Sequence, residues 1–207
     1  MQEDISYPTS CNVQPSNASV IHHINTLENV RVAAEIGSYE GATTQLILAE
    51  CTKLEKLHIF DFQDRVDAIS KEVPPEHRDR FVGHGNSRKL SDSYCWSLLN
   101  LVRRGTFTFD FVFLDGAHTW ETDIFAVLLI DLVLRPGGYI ELDDFDWTLE
   151  KSPTLNPNAF PATRLRYTDE QISTEAVRIA AKVILKQRLG YEELSVGRLF
   201  RKPRNPK

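Results

Sequence analysis

Arg31-Val32-Ala33-Ala34-Glu35-Ile36-Gly37-Ser38-Tyr39-Glu40-Gly41-Ala42-Thr43, running on to Cys51, holds three parts that call for three conformations. Residues 31–36 read as a strand. Residues 37–41 open and close on glycine, so both ends of the turn can take backbone angles that other side chains resist. Residues 42–51 read as a helix. Strand, tight loop and helix in that order begin a βαβ unit.

The same alternation continues outward. Residues 56–60 form a second strand ending at Asp61, and residues 78–83 a weak third. A helix over 91–103 carries Tyr94, Leu98, Leu101 and Val102 on one face. Residues 109–114 form a strongly apolar fourth strand ending at Asp115, followed by a helix over 120–134. After the turn Arg135-Pro136-Gly137-Gly138, residues 139–142 form a fifth strand ending at Asp143-Asp144. Upstream, residues 16–29 suit a helix with Val20, Ile21, Ile24 and Leu27 at helical spacing, and His22 and His23 as an exposed or capping pair. Pro153, Pro157 and Pro161 break the pattern, so the Pro-rich segment 151–168 is expected as a substrate lid. A helix over 168–189 and short strands at 191–195 and 197–201 close the chain. Strands alternating with helices imply an α/β fold: a doubly wound, mostly parallel sheet with helices on both faces and a C-terminal antiparallel strand pair.

At 207 residues and 42% hydrophobic content the chain suits one domain, 1–207, with residues 1–15 loosely held. A net charge of −5 argues against nucleic acid as a partner. The basic end from Arg198 to Lys207 is expected as a solvated tail. Cys11, Cys51 and Cys95 show no metal-type spacing, and no apolar run suits a signal peptide or membrane span, so the cytoplasm is the expected compartment.

The spacing of Gly37 and Gly41 is not the G-x-G-x-x-G of dinucleotide enzymes, and Glu35 and Glu40 flank the turn. Two carboxylates suit a cationic ligand better than a pyrophosphate. Residues 32–43 resemble the glycine-rich first motif of class I S-adenosylmethionine-dependent methyltransferases, which have a Rossmann-like fold. The resemblance implies S-adenosylmethionine as cofactor, held by Glu35, Gly37, Ser38, Tyr39, Gly41 and Thr43, with Asp115 beside it. It also implies that Asp61 holds the ribose hydroxyls and that Asn86 and Ser87 contact the adenine, Asn86 standing where the family's aspartate is usual.

With strands four and five as neighbours, Asp115, Asp143 and Asp144 share one mouth, where clustered carboxylates either share protons or surround a cation. Oxygen ligands favour a hard ion such as Mg2+. Residues 115–121 and 134–144 resemble the macrocin-type sugar O-methyltransferases, in which three aspartates hold a divalent metal that binds acceptor hydroxyls. The resemblance implies O-methylation of a hydroxyl on a small molecule, with Asp115, Asp143 and Asp144 as metal ligands and a homodimer as assembly. Ala117 stands where those enzymes often carry an acid, which leaves His118 as the substitute catalytic base or as a helix cap. A metal-independent methyltransferase and a non-catalytic cofactor-binding protein are the rival readings. Glu141, inside a central strand, needs a cation, and Arg135 or Arg164 is expected to supply it.

Overall fold

The computed structural model describes residues 16–105 and 108–204. The segment 1–15, with Cys11, and the last three residues lie outside the described residues. Seven strands form one sheet: β1 (Val32–Ile36), β2 (Lys56–Phe62), β3 (Phe81–Asn86), β4 (Phe109–Leu114), β5 (Leu134–Leu142), β6 (Glu192–Ser195) and β7 (Leu199–Arg201). Their order is β3-β2-β1-β4-β5-β7-β6. The first five run parallel, and β7 is antiparallel to both β5 and β6. The expected α/β doubly wound sheet and C-terminal antiparallel pair are both present. The order reverses between β1 and β4, which makes their carboxyl ends the crevice where such sheets bind ligands.

Side-chain alternation along the strands builds two cores. Ala34, Ile36, Val112, Leu114, Ile140 and Leu142 pack beneath α4 (Tyr94–Arg104), α5 (Trp120–Val133) and a C-terminal helix. Ala33, Phe111, Phe113 and Tyr139 face the other way, toward α1 (Ser16–Thr26), α2 (Ala42–Glu50) and α3 (Gln63–Glu72). α3 has no counterpart in the sequence reading, because its ten residues bury only Val66 and Ile69. The third strand lies three residues later than expected, since Pro75–Arg80 first forms a 3-10 turn. Gly85 lies so close to α3 that a Cβ there would sit 2.8 Å from the Gln63 Cα.

The C-terminal third departs furthest from expectation. The single helix over 168–189 is interrupted: Thr168 and Gln171 cap the start of the short α7 (Asp169–Ser173), which ends where Thr174 turns extended, and the still shorter α6 (Thr163–Arg166) precedes it. α8 (Ala176–Ile179) then runs directly into a π-helical stretch, Ala180–Arg188. Within the basic end, the strand lies where it was expected, but Lys202 after it is not solvated. Leu199–Arg201 lies inside the sheet, and Lys202 donates to the Leu134 carbonyl (3.0 Å) and pairs with Asp131 (3.1 Å).

Neither expected arginine reaches Glu141, since Arg135 pairs with Asp110 and Arg164 with Asp169. Instead α1 answers the fully buried carboxyl, through Ser19 Oγ at 2.7 Å and His23 Nδ1 at 2.8 Å. His23 is therefore not an exposed capping residue. Among the described residues no helix is long and apolar enough to cross a membrane.

Candidate active site

Three backbone bonds stitch the strand ends into one rim. Gly37 N–H donates to the Phe60 carbonyl (2.9 Å), Asp115 N–H to Ile36 (2.9 Å) and Asp143 N–H to Leu114 (3.0 Å). Gly37 has φ +88°, and a Cβ on it would lie 1.9 Å from the Asp115 carbonyl oxygen. Only glycine permits that approach, so the turn after β1 and the exit of β4 are in direct contact.

The turn is held from beneath by Asp61. Its Oδ2 accepts from the N–H groups of Ser38 (3.0 Å) and Tyr39 (2.7 Å), and its Oδ1 from Phe62 N–H (2.7 Å) and Arg65 (3.3 Å). Four donors use the lone-pair directions of a carboxylate. The Arg65 guanidinium also stacks on the Tyr39 ring, 4.6 Å from its centroid. Ser38 is buried and its hydroxyl has no partner among the described residues. Asn86, also buried, ends β3 and donates to the Ser87 carbonyl (3.2 Å), while Ser87 N–H is taken by Asp92 (2.6 Å). Gly41, φ +81°, starts α2, on which Thr43 is buried.

Glu35 lies beneath the turn rather than in its mouth. Thr44 Oγ1 donates to it at 2.5 Å, and burial raises its pKa to about 8 against that bond, with Asp115 and Asp61 adding to the rise. The folded pKa exceeds the unfolded one, so this group's contribution is complete at low pH and is lost as pH climbs toward 8. Glu35→Gln removes the titration. Its stability relative to the native chain is expected to improve by up to about 1.4 kcal/mol per pH unit across that window. Denaturant melts from pH 5 to 8 read this directly, and a difference that stays flat with pH sinks the assignment.

Beside the turn, Asp115, His118 and Asp144 place one ligand atom each within 4.8 Å of one another. His118 Nε2 is 3.2 Å from Asp115 Oδ1 and 3.5 Å from Asp144 Oδ2. Burial by itself would lower the His118 pKa, but the bond to Asp115 and the charges of Asp123, Asp115 and Asp144 outweigh it and hold it at about 9. Burial raises Asp144. The Trp147 ring flanks the imidazole, with centroids 5.3 Å apart.

Asp143 is not in this cluster. It turns toward the opposite face, is buried, and pairs with Arg198, whose Nε also lies 3.8 Å from Glu141. Both residues lie just past β5, and Asp144 takes a left-handed backbone (φ +51°), so the two adjacent side chains leave the strand end in different directions. The three expected ligands are therefore divided, and His118 takes the place beside Asp115 and Asp144.

The residues beneath His118 were missed from sequence. Tyr94 OH donates to Asp123 Oδ1 (2.5 Å) and accepts from Ala117 N–H (3.0 Å), which pins the 115–118 loop to α4 and α5. Asp123 is buried, its pKa is raised by that burial, and its Oδ2 has no partner among the described residues. Their signal was faint: an acid in the first turn of α5 and a tyrosine opening α4, both common as plain surface residues.

A sheet of this order, with a glycine turn at the reversal point and an acid-rich cluster on the next strand, defines a class I, Rossmann-like, S-adenosylmethionine-dependent methyltransferase. A family described as a methyltransferase domain matches residues 34–145, more than half of the chain, and the chain belongs to that family. No curated protein matches it significantly. Three solved structures show the shared fold. One is the O-methyltransferase TomG from Streptomyces achromogenes, in complex with SAM and involved in tomaymycin synthesis (17% identity, TM-score 0.52, 74% of this chain and 68% of that one). The second is an O-methyltransferase family protein from Burkholderia thailandensis (16%, 0.53, 92% and 57%), of which this chain spans little more than half. The third is an O-methyltransferase from Bacillus cereus in complex with SAH (14%, 0.60, 93% and 82%).

Proposed function

We propose that the chain transfers a methyl group from S-adenosylmethionine to a hydroxyl of a small molecule, a sugar or natural product, with help from a divalent metal. The observation that carries this reading is the Asp115–His118–Asp144 cluster set against the Gly37 turn. Ligand atoms about 2.1 Å from a metal lie roughly 3.0–3.4 Å apart in octahedral or tetrahedral geometry, and the two His118 separations are 3.2 and 3.5 Å. A set of two carboxylates and one imidazole suits Mn2+, Fe2+ or Zn2+ as well as Mg2+. The unpartnered Ser38 hydroxyl fits a polar tail of the cofactor, and the acidic rim fits its positive charge. Asp61 serves by holding the turn open, since its four acceptor positions are taken by the chain.

The donor sulfonium is already activated, so the protein's main task is in-line alignment of the acceptor oxygen. A bound divalent ion would lower the acceptor's pKa and fix its orientation. Asp115 and Asp144 orient the acceptor side of the mouth, and Phe145 and Trp147 wall it. With no ion bound, His118 holds a proton between Asp115 and Asp144 at neutral pH; as a ligand it would bind through the deprotonated Nε2, so its roles as ligand and as base exclude each other. We read residues 1–207 as one cytoplasmic domain with 151–168 as the acceptor-side lid; the buried thiols of Cys51 and Cys95, unpaired and raised to about 11, suit a reducing compartment.

A metal-independent reaction is favoured by one observation: a protonated His118 already bridges Asp115 and Asp144 as an internal cation. Calorimetry with S-adenosylmethionine, with and without EDTA, combined with turnover on hydroxylated acceptors, separates the two. The expected result is cofactor binding that survives chelation and turnover that requires added metal. Full turnover in EDTA selects the metal-independent reaction, and no binding of the cofactor overturns both.

A further inference from the structure

In doubly wound sheets an acid about 20 residues past the glycine turn usually accepts from the ribose hydroxyls of a nucleoside cofactor. Asp61 stands at that place, near the end of β2, but it is only 6% exposed and is spent on the chain itself. The backbone N–H groups of Ser38, Tyr39 and Phe62 take three of its acceptor positions, and Arg65 takes the fourth. The ribose of S-adenosylmethionine therefore needs another partner in this chain.

Arg65 is placed to supply it. Its guanidinium lies 4.6 Å from the centroid of the Tyr39 ring and 5.5 Å from that of Phe62, so it bridges the turn after β1 and the exit of β2. Tyr39 takes φ +48°, a backbone conformation that residues other than glycine resist. Its N–H bond to Asp61 and the stack of its ring on Arg65 hold it there. Two aromatic contacts and one carboxylate fix the guanidinium before any ligand arrives, which leaves little rotamer freedom to lose on binding. Only Nη1 is engaged, 3.3 Å from Asp61, and the other N–H groups have no acceptor among the described residues. A guanidinium only donates, whereas a hydroxyl accepts as readily as it gives. Arg88 also stacks on Phe62, at 4.3 Å, but it is paired with Asp64 at 2.8 Å and has no contact with the turn.

We propose that Arg65 binds the ribose hydroxyls of S-adenosylmethionine, in the place that Asp61 has given up to the turn. The assignment rests on the cofactor reading above and adds a residue to it.

Calorimetry with S-adenosylhomocysteine and with its 2′-deoxy and 3′-deoxy analogues, on the wild-type chain and on Arg65→Met, tests this as a double-mutant cycle. Methionine keeps an unbranched stem against the Tyr39 ring and removes the donors. The wild type is expected to bind at least one deoxy analogue about tenfold more weakly than S-adenosylhomocysteine. Arg65→Met is expected to bind S-adenosylhomocysteine about tenfold more weakly and to lose that discrimination, with Arg65→Lys between the two. If thermal melts show Arg65→Met unfolded, the cycle is run on Arg65→Lys, where reduced discrimination is the expected result. An equal loss on all three ligands marks a merely structural arginine and overturns the proposal. Tighter binding by Arg65→Met overturns it as well, because Arg65 would then compete with the ribose for Asp61. A wild-type chain that binds none of the three overturns the cofactor reading itself, and the proposal with it.

Discussion

Asp144→Asn is expected to lower kcat/KM by about 10²–10³-fold, the scale of a misaligned acceptor, while Asp143→Asn keeps turnover within a few fold. The sequence makes these two aspartates look equivalent, and the structure separates them. Asp144 lies 3.5 Å from His118 and completes the cluster with Asp115. Asp143 is committed to Arg198 on the other face. Its substitution leaves the guanidinium short of a partner, a loss of about 1–2 kcal/mol, or roughly 2–8 °C in Tm. Steady-state kinetics with thermal melts on both variants give the comparison. If Asp143→Asn is the catalytically dead one, the metal set returns to the three aspartates and the Asp115–His118–Asp144 reading falls.

His23→Ala, far from any reacting atom, is expected to be among the most destabilising single changes on α1. Glu141 is fully buried in β5, where only Ser19, His23 and the more distant Arg198 answer its carboxyl among the described contacts. Removing one partner of a buried polar group costs about 1–3 kcal/mol in desolvation left unpaid, roughly 2–12 °C in Tm for a chain of this size. Glu141→Leu, which removes the polar group instead, is expected to cost less than His23→Ala, because two apolar neighbours can tolerate what a stranded carboxyl cannot. The double variant His23→Ala/Glu141→Leu is then expected to recover most of the loss. A strictly additive double variant would show that the pair is not energetically coupled.

The sheet and its cofactor turn were legible along the chain because their physics is local. An apolar run such as Phe109–Leu114, a glycine pair spaced as Gly37 and Gly41, and the aspartates at the ends of the second, fourth and fifth strands all lie within a few consecutive residues. α3 escaped because a charged surface helix with two buried residues has almost no pattern to read. The shift of β3 escaped because proline and glycine mark a break without saying on which side of it the strand resumes.

Which side chains share a site was settled only in three dimensions. Whether Asp143 or Asp144 meets Asp115 depends on the turn just past β5, where Asp144 takes φ +51°, and an Asp-Asp pair in the sequence does not announce that turn. Whether Glu141 finds a partner depends on α1, 118 residues earlier in the chain at His23, folding across the sheet. Local preference is written into neighbouring residues, whereas partnership between distant ones is decided by strand order, register and the alternation of faces, and those exist only once the sheet has closed.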